Sequence, residues 1–170
     1  MNRIYLRQIN EADSEMIVRW RNTTYVRSHS LYKLPISVDS HLNHYYNNVC
    51  AGKYKQFIVE KIDCSGVVIY PIATVYLKDV DYENKRCELC VFTSSDNDWD
   101  ESCQIEGIKL LIYKAFNEYG MHKIYSYVFC KYPNEIRILE EAGFKIEACL
   151  EDESLNIDGT AYESIYRMSI

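Results

Sequence analysis

The stretch ESCQIEGIKLLIYKAFNEYG, residues 101–120, decides the fold. Ile108, Leu111, Ile112, Ala115 and Phe116 recur at helical spacing and form one apolar stripe, which Gly120 ends. The polar run Ser94 to Glu101 leads in, so the helix is expected to be under way from Gln104. Such a stripe has to pack on a sheet. Strand-like segments flank it, Arg86 to Thr93 before and Lys123 to Phe129 after, both rich in β-branched and aromatic residues. Strand, helix and strand in that order read as a crossover between two parallel strands.

Toward the N-terminus, Lys55 to Ile62 and Val67 to Leu77 are two more strands, and with Arg86 to Thr93 they read as an antiparallel meander. The polar turns Asp63 to Gly66 and Asp79 to Asn84 separate them. Arg3 to Ile9 is a strand, and Asn10 caps a helix from about Glu11 to Arg21 that sets Met16, Ile17 and Trp20 on one face. A short helical turn is expected around Val26. Ser37 caps a further helix whose Leu42, Tyr45, Tyr46 and Val49 have the spacing of a buried stripe, with His41 and His44 flanking it as exposed polar residues. Toward the C-terminus, Pro133 to Ala142 is a short helix closed by Gly143, and Phe144 to Leu150 pairs with Tyr162 to Ile170 across a turn containing Asp158 and Gly159. The order β, α, α, β, β, β, α, β, α, β, β predicts one α/β or α+β domain over residues 1–170.

Composition narrows the function. Of 170 residues, 48% are hydrophobic and 26% charged, as in ordinary folded domains, and 19 basic against 25 acidic side chains give a net charge of −6. With no basic run to track phosphates, nucleic acid is not expected as a partner. The longest apolar stretch, Val67 to Leu77, is broken by Pro71 and is far short of the ~20 residues a membrane span needs, so no membrane association is expected. Charges interrupt Met1 to Arg7, and the seven cysteines are an odd number scattered through the elements. Both suit reduced thiols and a cytoplasmic location. Cys87 and Cys90 lie three apart on a strand and so face opposite ways, and no second Cys/His pair has zinc-ligand spacing; no metal is expected.

Three segments carry a resemblance. Trp20, Arg21, Asn22 are followed by Val26, Arg27; Glu106, Gly107, Ile108 run on to Tyr113, Lys114, Ala115, Phe116; and Ile136, Arg137, Ile138, Leu139, Glu140, Glu141, Ala142 lead into Gly143, Phe144. In this order and on these elements the chain resembles the GNAT superfamily, the Gcn5-related N-acetyltransferases, in the branch that acts on ribosomal proteins and amino sugars. The resemblance implies a mixed, mostly antiparallel twisted sheet of about seven strands with about four helices, its central strands splayed. It implies acetyl transfer from acetyl-CoA to a primary amine of a small molecule, an amino sugar or a peptide N-terminus, and it leaves a homodimer open.

The resemblance also distributes roles. It places a general-base carboxylate at Glu88, which alternation puts on one face with Cys90 and Phe92, while Cys87, Leu89 and Val91 take the other. Apolar surroundings would suit such a base, and a solvated residue or a partner for Arg86 or Lys85 is the alternative. Pantetheine would pair with the backbone around Phe92 and Thr93, and Tyr132 stands where an Asn often contacts it. Trp20, Arg21, Asn22 and Arg27 are the implied acceptor contacts, with a core anchor and helix-end cations as their ordinary alternative. The pyrophosphate loop maps to Trp99, Asp100, Glu101, Ser102, Cys103 and Gln104, and it departs from the family: no glycine is left, and Asp96, Asp98, Asp100 and Glu101 crowd carboxylates there. Leu139 replaces the tyrosine that protonates the leaving thiolate. These departures keep open a second reading, a catalytically degenerate GNAT-fold domain used for ligand binding or protein association.

Overall fold

A computed structural model of the chain describes residues 3–94 and 99–170; Asp96 and Asp98 lie outside the described residues. Seven strands form one sheet in the order β1-β2-β3-β4-β5-β7-β6. These are β1 (Arg3–Gln8), β2 (Lys55–Ile62), β3 (Ile69–Asp81), β4 (Arg86–Thr93), β5 (Lys123–Phe129), β6 (Lys145–Leu155) and β7 (Tyr162–Ser169). Every neighbouring pair is antiparallel except β4 and β5, which are parallel and joined through α4 (Glu101–Tyr113). The meander, the crossover and the C-terminal hairpin stand as the sequence predicts, except that β6 runs past its expected end at Leu150 to Leu155.

The helices cover both faces. On one face α4 and α5 (Pro133–Glu141) pack Ile108, Leu111, Ile138 and Leu139 onto Val59, Val75, Cys87 and Leu89. On the other lie α1 (Ser14–Arg21), α2 (Thr24–Ser28) and α3 (Val38–His44), where Ile17 meets Ile9, Ile58 and Phe92. Period-2 alternation makes this division. Cys87 and Leu89 enter the α4 core, while Phe92 joins the α1 cluster.

Local chemistry sets the ends. Asn10 caps a single tight turn before α1, accepting from the Ala12 N–H at 2.9 Å while Asp13 reaches back to the Asn10 N–H at 2.8 Å. Gly120 and Gly143 follow α4 and α5 with positive φ, the left-handed exit that glycine allows.

Three expectations are corrected. The α3 stripe is not buried as its spacing predicted. The helix widens into a π turn over Tyr45–Val49, leaving Tyr46 half exposed with its hydroxyl on Glu11, and His41 is the buried residue, 5% exposed. His44 is half-buried, not an exposed flank. β3 runs on to Asp81 through an irregularity after Lys78, where Asp79 takes positive φ, so the turn begins later than Asp79. α4 starts at Glu101, ahead of Gln104, because Asp100 caps it.

Candidate active site

The parallel strands β4 and β5 pair only at Arg86, Cys87 and Glu88, opposite Lys123, Ile124 and Tyr125. Beyond Glu88 they part. The buried Ser126 hydroxyl donates to the Leu89 carbonyl at 2.9 Å, standing in for the next rung of the ladder. Since Leu89 points its carbonyl into the gap, alternation turns the backbone groups of Val91 and Thr93 the same way. Those of Phe92 and Ser94 turn toward β3, where the Ser94 N–H donates to Ile72 at 3.0 Å. A cleft opens in this gap, with Val91, Thr93, Ser126, Val128 and Leu139 in its wall. It presents an unpaired strand edge to an extended ligand, which is what a pantetheine arm needs.

Glu88 stands at the closed end of the gap, 5% exposed. Its surroundings are not the apolar ones expected, and its partner is neither Arg86 nor Lys85. Lys78, its register partner on β3, brings Nζ to 3.1 Å from Oε1. The Cys90 thiol donates to the same oxygen at 3.1 Å. Burial pushes that thiol well above its ordinary range, so it stays protonated and holds Glu88 in place as a donor.

Of the four residues proposed on the acceptor side, only Arg21 lines the cleft. Trp20 is buried as a core anchor. The Asn22 amide clamps the Ile36 backbone in both directions at 2.8 Å, and Arg27 Nε donates to the Lys33 carbonyl at 2.7 Å. These three shape the chain between α1 and α3 and leave the cleft to others.

Sequence reasoning missed the other wall. His29, after α2, and Glu135, on α5, meet there with Nε2 and Oε1 3.1 Å apart. The Tyr132 ring stacks on His29 at 3.8 Å, and Tyr25 lies at 4.1 Å on α2. His29 Nδ1 is 2.7 Å from the Tyr25 carbonyl, which only accepts, so Nδ1 carries a proton and a neutral ring faces Glu135 as acceptor. Burial pushes Glu135 up to about 7 and pushes His29 down, both of which favour a proton on the carboxyl. Glu135 lies one helical turn before Leu139, whose buried aliphatic side chain offers no proton. Tyr132 thus meets the cleft through His29, a role its position alone does not indicate.

The phosphate end departs from the family most. Asp100 Oδ1 accepts from the Cys103 N–H at 2.8 Å, and Lys61 lies 3.5 Å from its Oδ2. Burial raises the Asp100 pKa, but these partners outweigh it and hold the carboxyl below the usual range. Arg137 grips Glu101 with two bonds of 2.5 Å, and Gln104 Nε2 donates to the Trp99 carbonyl at 3.0 Å. Ser102 lies in the first turn of α4, and Cys103 is buried in the core beneath it. The Trp99 ring lines the cleft and rests against Gly107. A helix N-terminus that would attract phosphate therefore carries its own carboxylate, with Lys61 and Arg137 beside it. The gap offers an extended ligand an unpaired strand edge, and a diphosphate at the end of α4 would share it with Asp100. Among the described residues no group of three or more His, Cys, Asp or Glu side chains is arranged to hold a metal, and no helix is long and apolar enough to cross a membrane.

A family match over nearly the whole chain, on a sheet that parts beside a buried carboxylate, defines the class: an N-acyltransferase that takes its acyl group from acyl-CoA. The chain belongs to the GNAT acetyltransferases, since residues 6–165 match the family described as Acetyltransferase (GNAT) domain. A search of curated protein sequences gives no match. Among solved structures, the spermidine N-acetyltransferase of Vibrio cholerae in complex with CoA and spermine superimposes with a TM-score of 0.85 at 22% identity, over 98% of this chain and 94% of that one. A mutant form of that enzyme gives 0.82 at 23%, over 98% and 92%. A spermidine/spermine N-acetyltransferase from the same organism in complex with manganese ions gives 0.79 at 24%, over 98% and 91%.

Proposed function

We propose that this chain transfers an acetyl group from acetyl-CoA to a primary amine of a small molecule, with Glu88 as the base. The observation that carries this reading is the gap itself: an unpaired edge at Val91 and Thr93 that runs down to a buried carboxylate. Pantetheine lies along that edge and brings the thioester to Glu88. The amine nitrogen attacks the acetyl carbonyl carbon, the C–N bond forms, and the C–S bond breaks with its electron pair going to sulfur. Glu88 takes the ammonium proton directly or through water, while Lys78 and Cys90 fix the carboxylate. The chain's free cysteines suit a reducing compartment, which favours a cytoplasmic location.

The test is acetyl-CoA with a panel of amines, following thiol release and the mass of the product. The expected result is release matched by an acetylated amine. CoA release at the blank rate with every amine would contradict it. The Asp100 cap favours one other reading, a GNAT-fold domain that binds a ligand or a partner without transfer. Acetyl-CoA bound but never consumed would mark that case.

A further inference from the structure

We propose that the acceptor carries an anionic group, a carboxylate or a phosphate, beside its amine, and that Arg21 receives it inside the cleft. This rests on the transfer reading and names the class of acceptor.

Arg21 ends α1 and lines the cleft. Its Nη2 donates to the Tyr32 carbonyl, and the Tyr32 ring lies 5.9 Å from its central carbon. Its Nη1 is buried and has no hydrogen-bond partner among the described residues. A guanidinium stays charged at any pH a protein meets, and a dry, unpaired N–H group is costly until something accepts from it. The end of a helix is electrostatically suitable for a cation, which accounts for an arginine at this position. It does not account for donors left without a carbonyl.

The other charges in the cleft sharpen the argument. Lys78 is answered by Glu88 at 3.1 Å, and the His29–Glu135 pair, with a neutral ring and a protonated carboxyl, adds no net charge. Among the described residues lining the cleft, Arg21 alone lacks a counter-charge, so the cleft presents one surplus positive charge. A polyamine, carrying only cations, would be repelled there. An amine with an anion a few bonds away is nearly neutral and matches both ends. Arg21, Tyr76, Cys90 and Glu88 line the same cleft, and Cys90 donates to Glu88, so the amine at the carboxylate and the anion at Arg21 share one chamber.

Matched probes test this. Ornithine differs from putrescine by one carboxylate, tyrosine differs from tyramine in the same way, and glucosamine 6-phosphate differs from glucosamine by one phosphate. Each is titrated calorimetrically into the full chain. In the pairs that bind, the anionic member is expected to bind at least about tenfold tighter. Arg21→Gln should bring the two members to within about twofold, and Arg21→Lys should keep part of the preference. The proposal is overturned if the amine without the anion binds as tightly, if the preference survives Arg21→Gln, or if none of the six binds. Transfer is followed separately. Anion-selective binding without acetylation would remove the proposed function and leave only an anion subsite at Arg21, and acetylation without anion preference would remove this inference and leave the function.

Discussion

The Trp99 ring lies across Gly107 so closely that a Cβ at residue 107 would meet its Cη2 at 3.0 Å. Trp99 brings bulk to the loop before α4, and α4 has a glycine where that bulk lands. In Gly107→Ala the ring must shift toward the cleft. A helix gains about 1 kcal/mol from Gly to Ala, whereas overpacking costs about 1–3 kcal/mol. We expect a net loss of about 1 kcal/mol in urea unfolding and at least about threefold weaker acetyl-CoA binding. A more stable variant with unchanged affinity would show that the contact does not shape the cleft.

Asp100 puts a negative charge at the helix end to which the resemblance assigns a diphosphate. Asparagine caps a helix as well as aspartate does, so Asp100→Asn keeps the bond to Cys103 and removes the charge. Relief of one repulsion at water-like screening is worth about 1 kcal/mol, so acetyl-CoA should bind roughly fivefold tighter. Equal or weaker binding would mean that the diphosphate avoids this helix end.

The proton between Glu135 and His29 makes stability depend on pH. Glu135 titrates at about 7 in the fold, above the ordinary carboxylate range, so its contribution is complete at low pH and is lost as pH rises through 7. Tyr25, Tyr132 and the Lys131 ammonium face the pair. The Glu135 side chain is 31% exposed, which reduces the effect. Relative to Glu135→Gln, the native chain should lose about 1–2 kcal/mol between pH 5 and 8, read as the difference in urea midpoints. Parallel pH profiles for the two proteins would remove the shared proton.

Glu88→Gln should lower kcat about a hundredfold near neutral pH and leave the KM for acetyl-CoA unchanged. The deficit should shrink as pH rises, because more of the amine then arrives without its proton. Lys78→Met separates the base from the ion pair: it removes the Lys78 contact and keeps the carboxylate. A kcat for Glu88→Gln that matches the native value across the pH range would take Glu88 out of the reaction.

What the sequence made legible follows from where the physics is local. β2, β4 and β5 have the bounds their β-branched runs suggest, since polar turns delimit them, and Asn10 caps the turn into α1 as predicted. β3 overran its expected end because Lys78 faces Glu88 across the pair, a contact that a reading of one strand does not include. The α3 stripe failed because the π turn after His44 rotates Tyr46 away from the core. The face that Glu88 takes on β4 was legible from alternation, whereas its role comes from the resemblance, and His29 and Glu135 belong to elements far apart in the chain that meet only through the fold. The acidic first turn of α4 was visible in the sequence, but that Asp100 would occupy the Cys103 N–H depended on where the helix begins.

Transfer requires that the gap between β4 and β5 accept acetyl-CoA beside Trp99 and the Asp100-capped end of α4. Calorimetric titration of acetyl-CoA into the full chain measures this directly. A dissociation constant in the micromolar range, about −8 kcal/mol, is the predicted result. No heat of binding at millimolar acetyl-CoA would contradict it.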